Sequence, residues 1–132
     1  SAAWAICLSS RLREEESVSK IIRSMLSHSV FNNLFCVHPP FLFQIDGNLG
    51  FVAGINEMLL TEENEKTELL PALPESFKKS GEVKNMTVNG AKISFKWKNG
   101  EVTEIICDKK TEFFNRHISK NAVICENAHI TE

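Results

Sequence analysis

The apolar residues of this 132-residue chain change period near residue 65, and that switch limits the fold more than any other feature. In the first half, Trp4, Leu8 and Leu12 fall at i, i+4 and i+8, with Ala2, Ala3 and Ala5 favouring helix. Val18, Ile21, Ile22, Met25 and Leu26 mark a second amphipathic helix. Glu14–Glu16 lie at its start, where negative charge suits the helix dipole. A third helix is expected over Gly50–Leu60, with Gly54, Ile55, Met58 and Leu59 on one face, following a bend at Asp46-Gly47-Asn48.

Beyond residue 65 the pattern is that of strands. Thr67–Leu70 leads into a Pro71-Ala72-Leu73-Pro74 turn, because each proline pushes its predecessor toward extended geometry. Val83–Val88, Ala91–Trp97 and Val102–Cys107 read as strands divided by Asn89-Gly90 and Asn99-Gly100, the strongest short hairpin signals. Ile93, Phe95 and Trp97 alternate with Ser94, Lys96 and Lys98, so one face is buried and the other wet. A last strand is expected over Ile118–Cys125. Trp4 and Trp97 both read as core, and Phe113-Phe114 as packing residues. The expected class is α+β, with helices over residues 1–65 and an antiparallel β domain over residues 66–132.

Composition excludes several functions. A hydrophobic content of 42% with 24% charged residues fits a globular chain. The net charge is −2, and no basic patch suggests nucleic acid. Lys78-Lys79 and Lys109-Lys110 read as solvated turns. No apolar run approaches a membrane span. Cys7, Cys36, Cys107 and Cys125 form no CxxC, and the histidines fall at no zinc-ligand spacing, so buried or semi-buried thiols are expected, with no metal and no disulfide framework. Asn85-Met86-Thr87 is a glycosylation sequon, relevant where the source glycosylates secreted proteins. The start at Ser-Ala-Ala-Trp, without an initiator Met, reads as a piece of something longer. Residues 30–60 hold Phe31, Phe35, Phe41, Phe43 and Phe51, more apolar surface than three short helices bury among themselves. Such a piece is expected to self-associate or to need a partner.

The segment His38–Gly50, HPPFLFQIDGNLG, sets Asp46 between very apolar stretches. Desolvating a carboxylate costs several kcal/mol, as an order of magnitude, so a partner is expected. Two roles are open: Asp46 or Asn48 caps the following helix, or Asp46 is a site residue with a tuned pKa.

The order SAAW…RL, NLF, HPPF…FQIDGNLG, AGINEMLL, LLPALP, then G-x-VK and a Trp-Lys-Asn-Gly hairpin resembles the C-terminal part of glycoside hydrolase family 95. The likeness runs from about Ser1 to about Asp108. It implies that residues 1–65 are the last helices of an (α/α)6 catalytic barrel and residues 66–132 a β-sandwich-like C-terminal domain. It implies hydrolysis of α-L-fucosides with inversion, without metal or organic cofactor, on a fucosylated oligosaccharide or glycan. It also implies an extracellular, cell-surface or periplasmic setting. By the same likeness, Asp46 polarises asparagine side chains that activate water, while the acid glutamate and those asparagines belong to upstream segments. An inverting site separates its two sides by on the order of 6.5–9.5 Å for a carboxylate pair, so Asp46 alone cannot serve both and the isolated chain should be inactive.

His38 precedes two prolines, as does the family histidine near the sugar subsite. It reads either as a sugar ligand or as a structural loop residue. The family pattern HPPFQIDGN is two residues shorter than the stretch here, so the extra pair either loops out or shifts His38 relative to Asp46. Gln44 and Asn48 flank Asp46 and either orient its carboxylate by hydrogen bonds or serve turn chemistry. Two rival functions stay open: an α-L-galactosidase of the same fold, and a non-catalytic carbohydrate-associated β module.

Overall fold

A computed structural model of the chain describes residues 2–38 and 41–132. Ser1 and the Pro39-Pro40 pair of the HPPF motif lie outside the described residues. Helices α1 (Ala2–Arg11) and α2 (Glu15–His28) come first. A short hairpin, β1 (Val37–His38) with β2 (Leu42–Phe43), leads into α3 (Ile45–Leu59). The chain passes directly from α3 into β3 (Leu60–Glu63), which pairs antiparallel with β4 (Lys66–Leu69). Strands β5 (Ser80–Val88), β6 (Ala91–Lys98) and β7 (Glu101–Cys107) form a meander on the two Asn-Gly turns. Asn89, Gly90, Asn99 and Gly100 all have positive φ, as such turns require. Strands β8 (Thr111–Phe114), β9 (Ile118–Ile124) and β10 (Ala128–Thr131) complete the chain.

The class is α+β, but the β part is mixed rather than antiparallel. Its two four-stranded sheets have the orders β10-β8-β4-β3 and β5-β6-β7-β9, with β7–β9, β4–β8 and β8–β10 parallel. The reason is that the last strands alternate between sheets. Strand β8 leaves for the other sheet before β9 returns beside β7, and parallel neighbours need such a crossover. The four-residue strands β8 and β10 carry too little alternation to be read from sequence. Leu69 and Phe113 from one sheet join Ile93, Phe95, Trp97, Val102 and Ile105 from the other in one core. Trp97 donates its indole N–H to the Phe77 carbonyl at 2.9 Å, and its ring lies over Gly81, where a Cβ would come within 2.0 Å of it. That contact accounts for the glycine of the G-x-VK motif.

The first helix presents a different face from the expected one. Ala3, Ile6, Ser9 and Ser10 are buried, whereas Trp4, Leu8 and Leu12 face outward, Trp4 at 65% exposure. Small residues let α3 approach: a Cβ on Gly54 would stand 2.8 Å from that of Ile6. The third helix also begins at Ile45, five residues before the expected start, so Asp46-Gly47-Asn48 is its first turn and not a bend ahead of it. No helix among the described residues is long and apolar enough to cross a membrane.

The helices are fastened to the sheets by a buried charge. Glu68 on β4 is fully buried, and its carboxylate accepts from the Arg13 Nε at 3.0 Å, the Arg13 Nη2 at 2.7 Å and the Arg116 Nη1 at 3.1 Å. Arg13 stands in the α1–α2 turn at φ 59°, and Arg116 in the β8–β9 turn. Lys78 adds a second link to Glu15 of α2, at 2.7 Å. Burial pushes the Glu68 pKa up, but the hydrogen bonds and charge of Arg13 and Arg116 more than offset it, leaving the carboxyl below its ordinary range. A depressed carboxyl contributes stability that is present above its unfolded pKa and lost as pH falls through the folded value. Glu68→Gln should therefore destabilise the fold by about 3 kcal/mol at neutral pH, by stranding two guanidinium groups. Urea midpoints measured from pH 7 down to pH 3 should converge for the two proteins as the wild-type carboxyl protonates.

Candidate functional site

The segment carrying the expected site residues is a loop folded back on the first turn of α3. Its backbone is tied from both sides. The Val37 N–H donates to Ser29 O at 2.8 Å, Gln44 N–H to Cys36 O at 2.9 Å, and Val30 bridges Cys36. Leu42 and Phe43 do not loop out: as β2 they pair with His38 and Val37, and the Phe43 ring packs at 4.8 Å from that of Phe35. Phe41, at the turn, takes φ 91°.

Asn48 locks this loop to α3. Its carboxamide oxygen accepts the Cys36 N–H at 2.8 Å, and its Nδ2 donates to the Leu34 carbonyl at 2.7 Å. An amide can satisfy a donor and an acceptor at once, and here both belong to backbone that no strand pairs fully. Cys36 is buried against Gly47, where a Cβ would approach its sulfur to 2.6 Å. Sequence reasoning expected a buried thiol at Cys36 but did not place it against Gly47. The available signal was a glycine that serves close approach rather than a turn.

Asp46 stands elsewhere. It is exposed in the first turn of α3, where the dipole favours its charge, and among the described residues no hydrogen bond or ion pair reaches its carboxylate. The expected crowding by apolar neighbours does not occur in this chain, because those neighbours are themselves uncovered: Phe41 is 79% exposed, and Leu42, Phe43, Ile45 and Leu49 all exceed half. Neither Asp46 nor Asn48 caps the helix. Gln44 holds the N-cap position, in extended geometry and without a side-chain cap bond. Among the described residues the buried carboxylate is that of Glu68.

His38 is exposed on β1 and lines, with Gln44, Cys36 and Gly47, a cavity of about 180 Å³ beside α1 and α2. Asn48 lines an adjoining apolar cavity of about 180 Å³ with Leu26, Leu34 and Val52, on the other side of Cys36 and Gly47, which line both. Asp46 lines neither. The structure thus brings His38 and Gln44 together, gives Asn48 to the loop backbone, and leaves Asp46 on the adjoining surface. A larger cavity of about 520 Å³ lies at the helix–sheet junction, around the Arg11–Glu57 pair, and shares no residue with this group.

Comparison with known proteins bears on the same segment. Residues 1–59 match the family model of the glycosyl hydrolase family 95 catalytic domain. Over 116 residues, 79% of the chain, the sequence is 31% identical to alpha-L-fucosidase 2 of Arabidopsis thaliana. The chain spans 14% of that relative's length.

The tether role of Asn48 is open to direct measurement. Asn48→Ala leaves the Cys36 N–H without its acceptor and should cost about 1–2 kcal/mol. Amide exchange at Cys36 should accelerate by about tenfold on the same grounds. Asp46→Ala should leave that exchange unchanged.

Proposed function

Because the chain carries, over residues 1–59, a segment of the glycoside hydrolase family 95 catalytic domain, we propose that it is the closing part of an inverting α-L-fucosidase. One observation carries the reading. The catalytic-domain match ends at residue 59, the last residue of α3, the helix whose first turn bears Asp46. On this reading α1, α2 and α3 are the last helices of an (α/α)6 barrel, with the sheets as a C-terminal β domain. The likeness to a plant alpha-L-fucosidase supports the substrate class, an α-L-fucoside on an oligosaccharide or glycan.

The uncovered apolar surface supports a partner of large area. Trp4 and Leu8 on α1, Leu12 just beyond it, and Leu49 and Val52 on α3 are exposed together with the loop aromatics. We assign that surface to the upstream part of the same protein. There, Asp46 would accept hydrogen bonds from asparagine amides and so strengthen their hold on the attacking water. An upstream carboxylic acid would protonate the leaving oxygen. His38, beside its cavity with Gln44, would contact the sugar. Asn48 would act by holding the loop in register with the first turn of α3, and not by touching Asp46.

Asp46→Asn in the intact protein tests this. Loss of the carboxylate should lower kcat by about 100-fold or more, with KM little changed, since base-side assistance is worth about that much. Near-normal turnover would remove Asp46 from the chemistry. Paired rates on aryl α-L-fucoside and aryl α-L-galactoside should favour the fucoside.

A further inference from the structure

Two of the four cysteines, 18 residues apart in sequence, meet where β7 ends and β9 has just ended. Their Sγ atoms are 3.2 Å apart, both free thiols. We propose that Cys107 and Cys125 form a modification site, a dithiol that a low-molecular-weight disulfide converts into a cross-link between β7 and the end of β9.

The backbone builds the approach. The Cys125 N–H donates to Ile105 O at 3.0 Å, continuing the parallel β7–β9 pairing by one residue. The Cys107 N–H points at the Cys125 sulfur at 3.2 Å, and Asn127 Nδ2 holds the Cys107 carbonyl at 3.2 Å. These bonds fix both side chains on one side of the strand pair, so the sulfurs meet without strand movement. The pair joins an edge strand to its neighbour where the register is sparse: β9 matches β7 at three positions, with an irregularity between Val102 and Glu104. A covalent bond here fastens the loosest strand of that sheet.

The two thiols differ in access and in acidity, which sets their order of reaction. Cys107 is 4% exposed, whereas Cys125 is half-buried and open to a small reagent. Burial and the hydrogen bond with Cys125 push the Cys107 thiol up to about 12. At Cys125 burial acts in the same direction, but hydrogen bonds from the Cys107 thiol and from backbone N–H groups outweigh it and favour thiolate. The Cys125 thiolate attacks one sulfur of the small disulfide RSSR, forming Cys125–SR and expelling RS⁻. Cys107 then loses its proton and attacks the Cys125 sulfur, expelling the second RS⁻. Overall two protein thiols and RSSR give one protein disulfide and two RSH.

The test exposes the native intact protein to oxidised glutathione, blocks residual thiols with iodoacetamide and maps the peptides. A Cys107–Cys125 linked peptide should be the major product. In Cys107→Ser, Cys125 should stop at the glutathionyl adduct, and in Cys125→Ser, Cys107 should be recovered alkylated only after unfolding. The proposal is overturned if wild-type Cys125 accumulates glutathione without a cross-link, or if both thiols survive unmodified. Neither outcome depends on the glycosidase reading, since no residue of the loop or of α3 takes part.

Discussion

The carboxylate of Glu68 organises the rest of the molecule. A charge at zero exposure in the core is tolerated only when its lone pairs are filled, because the effective desolvation penalty is several kcal/mol per ion. Arg13 and Arg116 fill them from opposite directions, one from the turn between two helices and the other from the turn between β8 and β9. The Arg13 turn is itself drawn tight: Arg13 N–H bonds to Ser10 O and Glu14 N–H to Ser9 O, ending α1 and starting α2 within three residues. Arg13 also reaches Glu63 at 2.8 Å, so one guanidinium spans the β3–β4 hairpin. Apolar burial is non-directional and does not by itself select an orientation. A bidentate arginine on a buried acceptor permits one orientation.

That orientation decides where the loop before α3 stands. Helix α3 packs on α1 through Gly50 and Gly54, and its last residue opens directly into β3, with Leu70 N–H returning to Leu59 O at 2.8 Å. Helix, hairpin and the buried Leu69–Leu73 stretch thus form one continuous frame. The described residues of the loop between α2 and α3 are held to the opposite end of α3 by the Asn48 amide. Their geometry relative to the sheets is inherited through that helix.

Much of the β half was legible in the sequence because its signals are local. Two Asn-Gly pairs and a clean alternation in β6 specify turns and faces without reference to anything distant. The parallel placements of β8, β9 and β10 were not legible, since they depend on which sheet each strand joins after leaving another. In the helical half, period reveals that a face exists but not which face finds a partner. Trp4, Leu8 and Leu12 form a stripe as regular as any, yet within this chain it is the narrower side carrying Ala3 and Ile6 that packs on the α3 glycines. At the candidate site the Asp-Gly-Asn run resembled a turn, because glycine and asparagine have two uses. Here glycine permits contact with Cys36, and asparagine satisfies backbone across a loop. The Cys107–Cys125 approach left no trace in spacing, being set by a parallel pairing across a crossover.

The apolar residues around Asp46 raise a question of magnitude. Covering an exposed Phe, Leu, Ile or Val is worth about 1.5–3 kcal/mol when burial is complete. Phe41, Leu42, Phe43, Ile45, Leu49 and Val52 are each a little over half to four-fifths exposed. Seating further helices on that face would release roughly 5–10 kcal/mol from these six alone. That exceeds or matches the several kcal/mol needed to draw one carboxylate out of water, before any donor is supplied to it. A hydrophobic rim can therefore carry an acid into a closed site at no net loss, and asparagine amides arriving with the same helices would then give that acid its partners. In the chain as described the order is reversed: the rim lies open and the carboxylate faces water. On the proposed reading, the electrostatic character of Asp46 is settled by assembly of the barrel and not by the first turn of α3.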